Sequence, residues 1–251
     1  MSFKIVIPAR YASSRLPGKP LLDIAGKPMI QHVFERACES RASSVIIATD
    51  DERIEKAARA FGADVCMTSS QHRSGTDRLA EVAVQRCFND EDIVINVQGD
   101  EPCLPAVLID QVATDLAEHP AADMASLFAQ IQQEKQVFDP NVVKVVMDGQ
   151  GYALYFSRAP IPWMRDHFNQ QSNLPPELPH YRHIGLYGYR SAFLKHYAEM
   201  TPCLLEREES LEQLRVLFHG KKIHMTEASV DAGHGVDTEA DLLEVRHVFT
   251  Q

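Results

Sequence analysis

The stretch Ile5-Val6-Ile7-Pro8-Ala9-Arg10-Tyr11-Ala12-Ser13-Ser14-Arg15-Leu16-Pro17-Gly18-Lys19-Pro20 reads as a short buried strand that runs straight into a cationic loop. Residues 1–22 carry four basic side chains (Lys4, Arg10, Arg15 and Lys19) and no acidic one, in a chain whose formal net charge is −10. Hydroxyl and glycine residues (Ser13, Ser14, Gly18) are interleaved with the cations. Such a loop at the end of a strand suits a polyphosphate: backbone N–H groups and hydroxyls hold oxygens, while Arg and Lys neutralise charge. A merely solvated basic loop is the plainer alternative, and the contrast with the acidic remainder favours phosphate.

Working outward, apolar runs alternate with amphipathic patterns. Val45–Thr49, Val65–Thr68 and Ile93–Gln98 read as strands, the last apolar on both faces. Between them, Lys27–Ser40 carries an Ile30, Val33, Phe34, Ala37 stripe at helical spacing, with Pro28 in the first turn. Asp50 is expected to cap a helix that buries Ile54, Ala57, Ala58 and Phe61 and stops at Gly62. Thr76–Cys87 is a further helix. This β-α-β-α order predicts a three-layer α/β fold with a mostly parallel mixed sheet. The second half is less regular. Helices are expected at Leu104–Glu118, Leu211–Phe218 and Thr238–Val248. Strands are expected at Met124–Ile131, Val142–Met147, Tyr152–Ser157, His183–Arg190 and Ile223–Ala228. Asp148–Gly151 reads as a hairpin turn, and the polar segment Asp166–His180 as a mobile loop.

Composition narrows the function. With 251 residues, 45% of them hydrophobic, the chain can bury a substantial core. Its acidity argues against a nucleic-acid partner, and no run of about 18 apolar residues suggests a membrane span. The N-terminal apolar run is too short for a signal peptide. Five cysteines with no C-x-x-C pair fit reduced thiols in a cytoplasmic protein. Dinucleotide, P-loop, zinc and G-x-S-x-G motifs do not occur.

Two acidic positions stand out. The strand Val94–Gln98 ends in Gly99-Asp100-Glu101-Pro102, and ligands of open parallel sheets sit beyond the carboxyl ends of strands. Asp100 is therefore a candidate for a metal–phosphate complex, since Mg²⁺ is held by one or two carboxylates plus phosphate oxygens; a turn before Pro102 is the alternative. Asp237 could serve as a helix N-cap, but Thr238 with Asp241 has capping-box spacing, which frees Asp237 for a metal role. Residues His72–Arg78 precede a helix and offer hydrogen bonds to a base or ribose. In His183–Tyr189, strand alternation puts His183, Gly185, Tyr187 and Tyr189 on one face, with His183 and Tyr187 about 13 Å apart along the strand, the span of a sugar-sized pocket. Arg158 suits either a substrate carboxylate or a surface ion pair.

The loop 7–20 resembles the signature loop of the sugar-acid cytidylyltransferases. Further matches are Ser74-Gly75-Thr76-Asp77-Arg78, Asn96–Pro102, Tyr152–Arg158, His183–Tyr189 and Leu211-Glu212-Gln213-Leu214-Arg215, in order along essentially the whole chain. The Tyr-Phe-Ser-Arg and Leu-Glu-Gln-Leu-Arg segments separate it from sialate-activating relatives and point to the Kdo-activating branch, where Kdo is 3-deoxy-D-manno-octulosonate. Arg73, where a neutral residue is common, and Ser229–His234 depart from the family pattern. The resemblance implies a nucleotidyltransferase (Rossmann-like) fold in a single domain, with a nucleotide-binding half at about 1–105 and a sugar-binding and dimerisation half at about 106–251. It implies a homodimer, CTP and Kdo as substrates, CMP-Kdo and pyrophosphate as products, and a supply of Kdo for lipopolysaccharide. A related sugar acid, 8-amino-Kdo or a sialic acid, is the alternative substrate. It further implies that Arg10, Ser13, Ser14, Arg15 and Lys19 hold the CTP phosphates, with Ser74 by the cytidine. Asp100 and Asp237 would bind Mg²⁺, and Gln98, Arg158, His183, Tyr187, Glu212 and Gln213 would line the sugar pocket. Arg15, Lys19, Asp100 and Asp237 are the expected catalytic set.

Overall fold

The computed structural model describes residues 2–12, 16–72, 74–168 and 179–250. Strands β1 (Phe3–Ala9), β4 (Ser44–Thr49), β5 (Asp64–Met67), β6 (Ile93–Asn96), β7 (Met124–Gln130), β8 (Lys144–Met147), β9 (Ala153–Ser157), β10 (Tyr181–Arg190) and β11 (Ile223–Glu227) join one sheet. Its main path runs β11-β7-β10-β6-β1-β4-β5. β1 pairs β4 and β6 in parallel, β4 pairs β5 in parallel, and β11 pairs β7 in parallel. β10 alone on this path runs the other way, antiparallel to both β6 and β7. A two-stranded ribbon, β2 (Asp23–Ile24) with β3 (Lys27–Pro28), stands apart.

The sheet is apolar on both faces, as a covered parallel sheet must be. Ile5 and Ile7 of β1 face one layer of α1 (Met29–Cys38), α2 (Glu52–Ala60) and α4 (Ala106–Glu118), through Ile30, Val33, Ile54, Leu108 and Val112. Val6 faces the other layer, with α3 (Gly75–Gln85), α6 (Ser191–Tyr197) and α8 (Gln213–Phe218) supplying Leu79, Val82, Phe193, Leu194 and Leu214. Helices α5 (Glu134–Phe138), α7 (Leu204–Glu209) and α9 (Glu239–Phe249) complete the chain. The three-layer, mostly parallel mixed architecture is the one the sequence pattern predicts. Among the described residues no helix is long and apolar enough to cross a membrane.

Several local expectations are corrected. Lys27 and Pro28 form β3, so α1 starts at Met29 with Pro28 as its cap residue rather than inside its first turn. Asp51, not Asp50, caps α2 by accepting from the Arg53 N–H at 2.9 Å. Asp50 instead faces the buried Arg78 guanidinium at 3.3 Å. Helix α8 starts two residues later than Leu211, at Gln213. The Asp148–Gly151 turn does join the antiparallel hairpin β8–β9. Of the expected loop Asp166–His180, residues 169–178 lie outside the described residues. Its ends are anchored: His180 is fully buried and bonds the Pro162 carbonyl at 2.9 Å, and Phe168 packs on Ile131 and Val137.

Candidate active site

The carboxyl ends of β1 and β6 lie side by side, and that neighbourhood builds the site. Their close approach depends on Gly99. A Cβ there would sit 2.7 Å from the Pro8 carbonyl oxygen, a backbone atom that cannot yield. The chain therefore leaves β1 through Arg10 and leaves β6 through Asp100 on the same edge of the sheet.

Lys19 occupies the centre of this edge. Its side chain is buried, and its ammonium lies 2.6 Å from Asp100 Oδ2 and 3.1 Å from Asp237 Oδ1, with a further bond to the Val236 carbonyl. Two loops far apart in sequence thus converge on one cation, and the two carboxylate oxygens can be no farther apart than the sum of those distances. Thr238 caps α9 by accepting from the Asp241 N–H, and Asp241 accepts from the Thr238 N–H. This capping box leaves the Asp237 carboxylate turned toward Lys19, as its spacing predicts. Glu101 adds a third carboxyl. Burial, reinforced by the charges of Asp100 and Asp237, pushes it up to about 8. An edge with this much negative potential suits a divalent cation, and Asp100 and Asp237, which share Lys19, could hold one.

Arg10 donates to the Ser74 carbonyl at 3.0 Å, so the cationic loop is joined to the start of α3. Ser74 is the N-cap of α3, in a capping box with Asp77. Ser13, Ser14 and Arg15 lie outside the described residues, as does Arg73. Beneath this loop Arg78 is fully buried, bonded to Thr68 and facing Asp50. Sequence reasoning quoted Arg78 in a motif without giving it a role; a cation at a capped helix start is the one available signal.

Along the same edge, two adjoining cavities meet at β10. One, of about 250 Å³, is lined by Gln98, Glu101, Arg182, His183, Gly185 and Gly235 among others. The other, of about 340 Å³, is lined by Arg182, His183, Gly185, Tyr187, Leu211 and Gln213 among others. They share Arg182, His183 and Gly185, and together fall in the size range of small-molecule sites. Gln98, His183, Tyr187 and Gln213 are thus brought together.

His183 and Tyr187 are brought side by side. A bulge shifts the β10–β7 register between Ile184 and Tyr187, and the two rings sit 5.3 Å apart, centroid to centroid. They form one aromatic wall, continued by Phe156 at 4.9 Å from His183. Ser126 Oγ lies 2.9 Å from His183 Nε2 and within 3.1 Å of the Ile184 and Leu186 carbonyls. Carbonyls can only accept, so with the Ser126 hydrogen given to one of them, His183 Nε2 carries a hydrogen and donates to Oγ, and Nδ1 is left as an acceptor; the other tautomer reverses the Ser126–His183 bond. Burial pushes this imidazole down to about 3, so it is neutral.

Glu212 accepts from the Thr76 hydroxyl at 3.0 Å, and burial raises its carboxyl against that bond. It lies outside both of these linings, beside Tyr187, Tyr189 and Tyr197. The Gln213 amide nitrogen is buried and unpartnered. Arg158 departs from expectation. Its guanidinium donates to the Glu209 and Pro140 carbonyls at 2.7 and 2.8 Å, outside both cavity linings. Arg182 lines both instead. Strand alternation assigns Arg182 to the face opposite His183, which is why it was missed.

Residues 4–223 match the family model described as cytidylyltransferase. A 3-deoxy-manno-octulosonate cytidylyltransferase of Nitrosococcus oceani is 56% identical over 251 residues, covering 99% of this chain and 97% of that protein. One from Coxiella burnetii is 53% identical over 249 residues, covering 99% of this chain and all 100% of that protein. A solved structure of CMP:2-keto-3-deoxy-manno-octonic acid synthetase complexed with CTP superposes with a TM-score of 0.89 at 43% identity, covering 100% of this chain and 98% of that one. The chain belongs to the cytidylyltransferase family, among the 3-deoxy-manno-octulosonate cytidylyltransferases.

Proposed function

We propose that this chain transfers CMP from CTP to Kdo, releasing pyrophosphate, and so activates Kdo for lipopolysaccharide synthesis. The names of the relatives and the CTP in the related structure support the substrates. The observation that carries the mechanism is the convergence of Lys19, Asp100 and Asp237 on the sheet edge where Arg10 leaves β1.

The anomeric hydroxyl of Kdo attacks the α-phosphorus of CTP in line and gives up its proton to solvent. The bond to the β-phosphate oxygen breaks, and pyrophosphate leaves with its electron pair. No covalent intermediate with the protein is needed, because such transfers are governed by positioning and charge. Arg10, Ser13, Ser14, Arg15 and Lys19 hold the phosphates, Lys19 exchanging a carboxylate partner for a phosphate oxygen. Ser74 sits by the cytidine. Asp100 and Asp237 would hold Mg²⁺, which when bound neutralises phosphate charge and lowers the pKa of the attacking hydroxyl. Gln98, His183, Tyr187, Glu212 and Gln213 orient the sugar acid, with the His183 Nδ1 acceptor toward its hydroxyls; for Arg158 to join them, its guanidinium has to leave the Glu209 and Pro140 carbonyls.

The protein would act in the cytoplasm and as a homodimer. Leu154 on β9 and Phe218 on α8 are large apolar side chains left exposed on neighbouring elements, and they support a self-association surface. A pyrophosphate-release assay with CTP, UTP, ATP and GTP against Kdo, 8-amino-Kdo and a sialic acid tests the reading. CTP with Kdo should exceed every other pair by at least about tenfold. Equal or faster turnover of another sugar acid reassigns the substrate, and CTP binding without pyrophosphate release overturns the enzyme.

A further inference from the structure

At the opposite end of the sheet, a second cluster of metal-ligating side chains plays no part in this chemistry. Strand β11 runs parallel to β7, and α4 runs back between β6 and β7, so the end of α4 and the start of β11 meet far from Lys19. Asp115 lies in the last turn of α4 and His119 is its C-cap residue, four positions on, with the two side chains in contact at the helix end. His224 on β11 faces them. Among the described residues these three form one group whose ligand atoms all lie within 4.8 Å of one another. Asp115 and His224 are buried, while His119 keeps about a third of its side-chain surface (35%) open to solvent.

The hydrogen bonds around the trio are those of a ligand set. His224 Nε2 is 3.2 Å from the Gln150 carbonyl, which can only accept. That nitrogen therefore carries a hydrogen, and Nδ1 is directed at Asp115 Oδ2, 2.8 Å away. An imidazole whose outer N–H is held by a backbone carbonyl, with its inner nitrogen aimed at a carboxylate, has the second-shell arrangement of a metal-bound histidine. The turn before β9 is shaped for it. Gly151 has φ +84°, and a Cβ there would sit 2.9 Å from His224 Nε2. The His119 ring stacks on His224 at 3.5 Å; its Nδ1 donates to the Asp115 backbone carbonyl at 2.8 Å and lies 3.3 Å from Asp115 Oδ1. For His119 to ligate through Nδ1, this bond is given up and the ring hydrogen moves to Nε2, which leaves the Nδ1 lone pair beside the same carboxylate.

We propose that Asp115, His119 and His224 bind a divalent ion of the zinc class. Two imidazoles and one carboxylate suit Zn²⁺ or Co²⁺ and not Mg²⁺. The fourth position opens on the solvent side of His119. Metal-free, the position between Asp115 and His224 is held by a proton; the ion displaces it to solvent. The groups facing His224 are Asp115 and His119 from the end of α4, Asp148 from the β8–β9 turn and the Tyr152 ring, with Lys222 over that ring. The ion would pin the end of α4 to β11, so its effect is on stability and not on turnover. The proposal is independent of the substrate assignment above.

The test titrates Co²⁺, then Zn²⁺, into chelator-treated full-length protein with Mg²⁺ in excess to occupy the carboxylate site. One Co²⁺ per chain should give visible ligand-field bands of a nitrogen-bearing, low-coordinate site, and Zn²⁺ should displace it. At about 100-fold excess over Kd, Zn²⁺ should raise Tm by about 5 °C or more. Calorimetry in buffers of different ionisation enthalpy should show about one proton released per ion at neutral pH. His119→Ala, at the half-exposed position, should weaken binding by at least about 100-fold and leave turnover within about twofold of the parent. Asp115→Asn should do the same to binding, and serves if His224→Gln does not fold. Absence of the bands, or bands and Tm shift that survive both His119→Ala and Asp115→Asn, overturns the site and leaves a hydrogen-bonded Asp–His pair.

Discussion

Lys19 donates to Asp100 across 2.6 Å, joining the loop after β1 to the loop after β6. The same ammonium reaches Asp237 at 3.1 Å, so one buried cation ties three segments together. Lys19→Ala removes both the phosphate-neutralising charge and this tie. Turnover should fall by about 10²–10³-fold, the cost of losing one transition-state charge contact. Because the two aspartates keep solvent access, the stability loss should be only on the order of 1–2 kcal/mol. Steady-state kinetics beside thermal unfolding separate the two effects; near-parental turnover would remove Lys19 from the mechanism.

Gly99→Ala forces a methyl to within 2.7 Å of the Pro8 carbonyl. Separating β1 from β6 to relieve it should cost about 1–3 kcal/mol. It also moves Asp100 relative to Lys19, so kcat should drop even in the folded fraction. Urea unfolding and active-site-normalised kinetics measure both.

His183 gives an acid-side dependence. Its folded-state pKa, held down at about 3, lies below the ordinary 6.5. The unfolded chain therefore takes up a proton that the folded one refuses. This contribution is intact above about pH 6.5 and is lost as pH falls toward 3. The ring keeps some solvent exposure, so the loss should be on the order of 1–3 kcal/mol. His183→Gln should flatten that limb of a stability–pH curve. Ser126→Ala, which strips the hydroxyl from His183 Nε2, should raise the KM for the sugar acid while leaving that for CTP unchanged.

Glu101 gives the opposite sign. Its folded-state pKa is raised to about 8 from 4.5, so the folded chain holds a proton that the unfolded chain has lost. Stability from this group is complete below about pH 4.5 and declines as pH rises through 8. Glu101→Gln should lessen the decline over that window, as read by chemical unfolding at stepped pH without divalent ions; an unaltered slope would assign the decline to another group.

Much of the first half was legible because its elements are defined locally. Ile5–Ala9, Val45–Thr49 and Ile93–Gln98 are apolar on both faces, and only a covered parallel sheet rewards that pattern. The Thr238–Asp241 cap was legible from three-residue spacing alone. The site's outer wall was not. Strand alternation puts Arg182 and His183 on opposite faces, yet both line the cavities, and a bulge interrupts the strand between Ile184 and Tyr187. Neither feature has a one-dimensional signature, because a bulge depends on the partner strand. The same holds for Arg158: only the fold reveals that its guanidinium is committed to the Glu209 and Pro140 carbonyls. The pairing of Asp115 with His224 spans more than a hundred residues and left no local trace.

The reversed direction of β10 has an evolutionary corollary. Its entering end, not its leaving end, reaches the rim shared with β1 and β6, so Arg182 and His183, which line both cavities, fall within the first three positions of the strand. Substitutions at that start can therefore remodel which acid is admitted while the triphosphate grip, built from other segments, stays untouched. Divergence in acceptor choice among such enzymes should concentrate there.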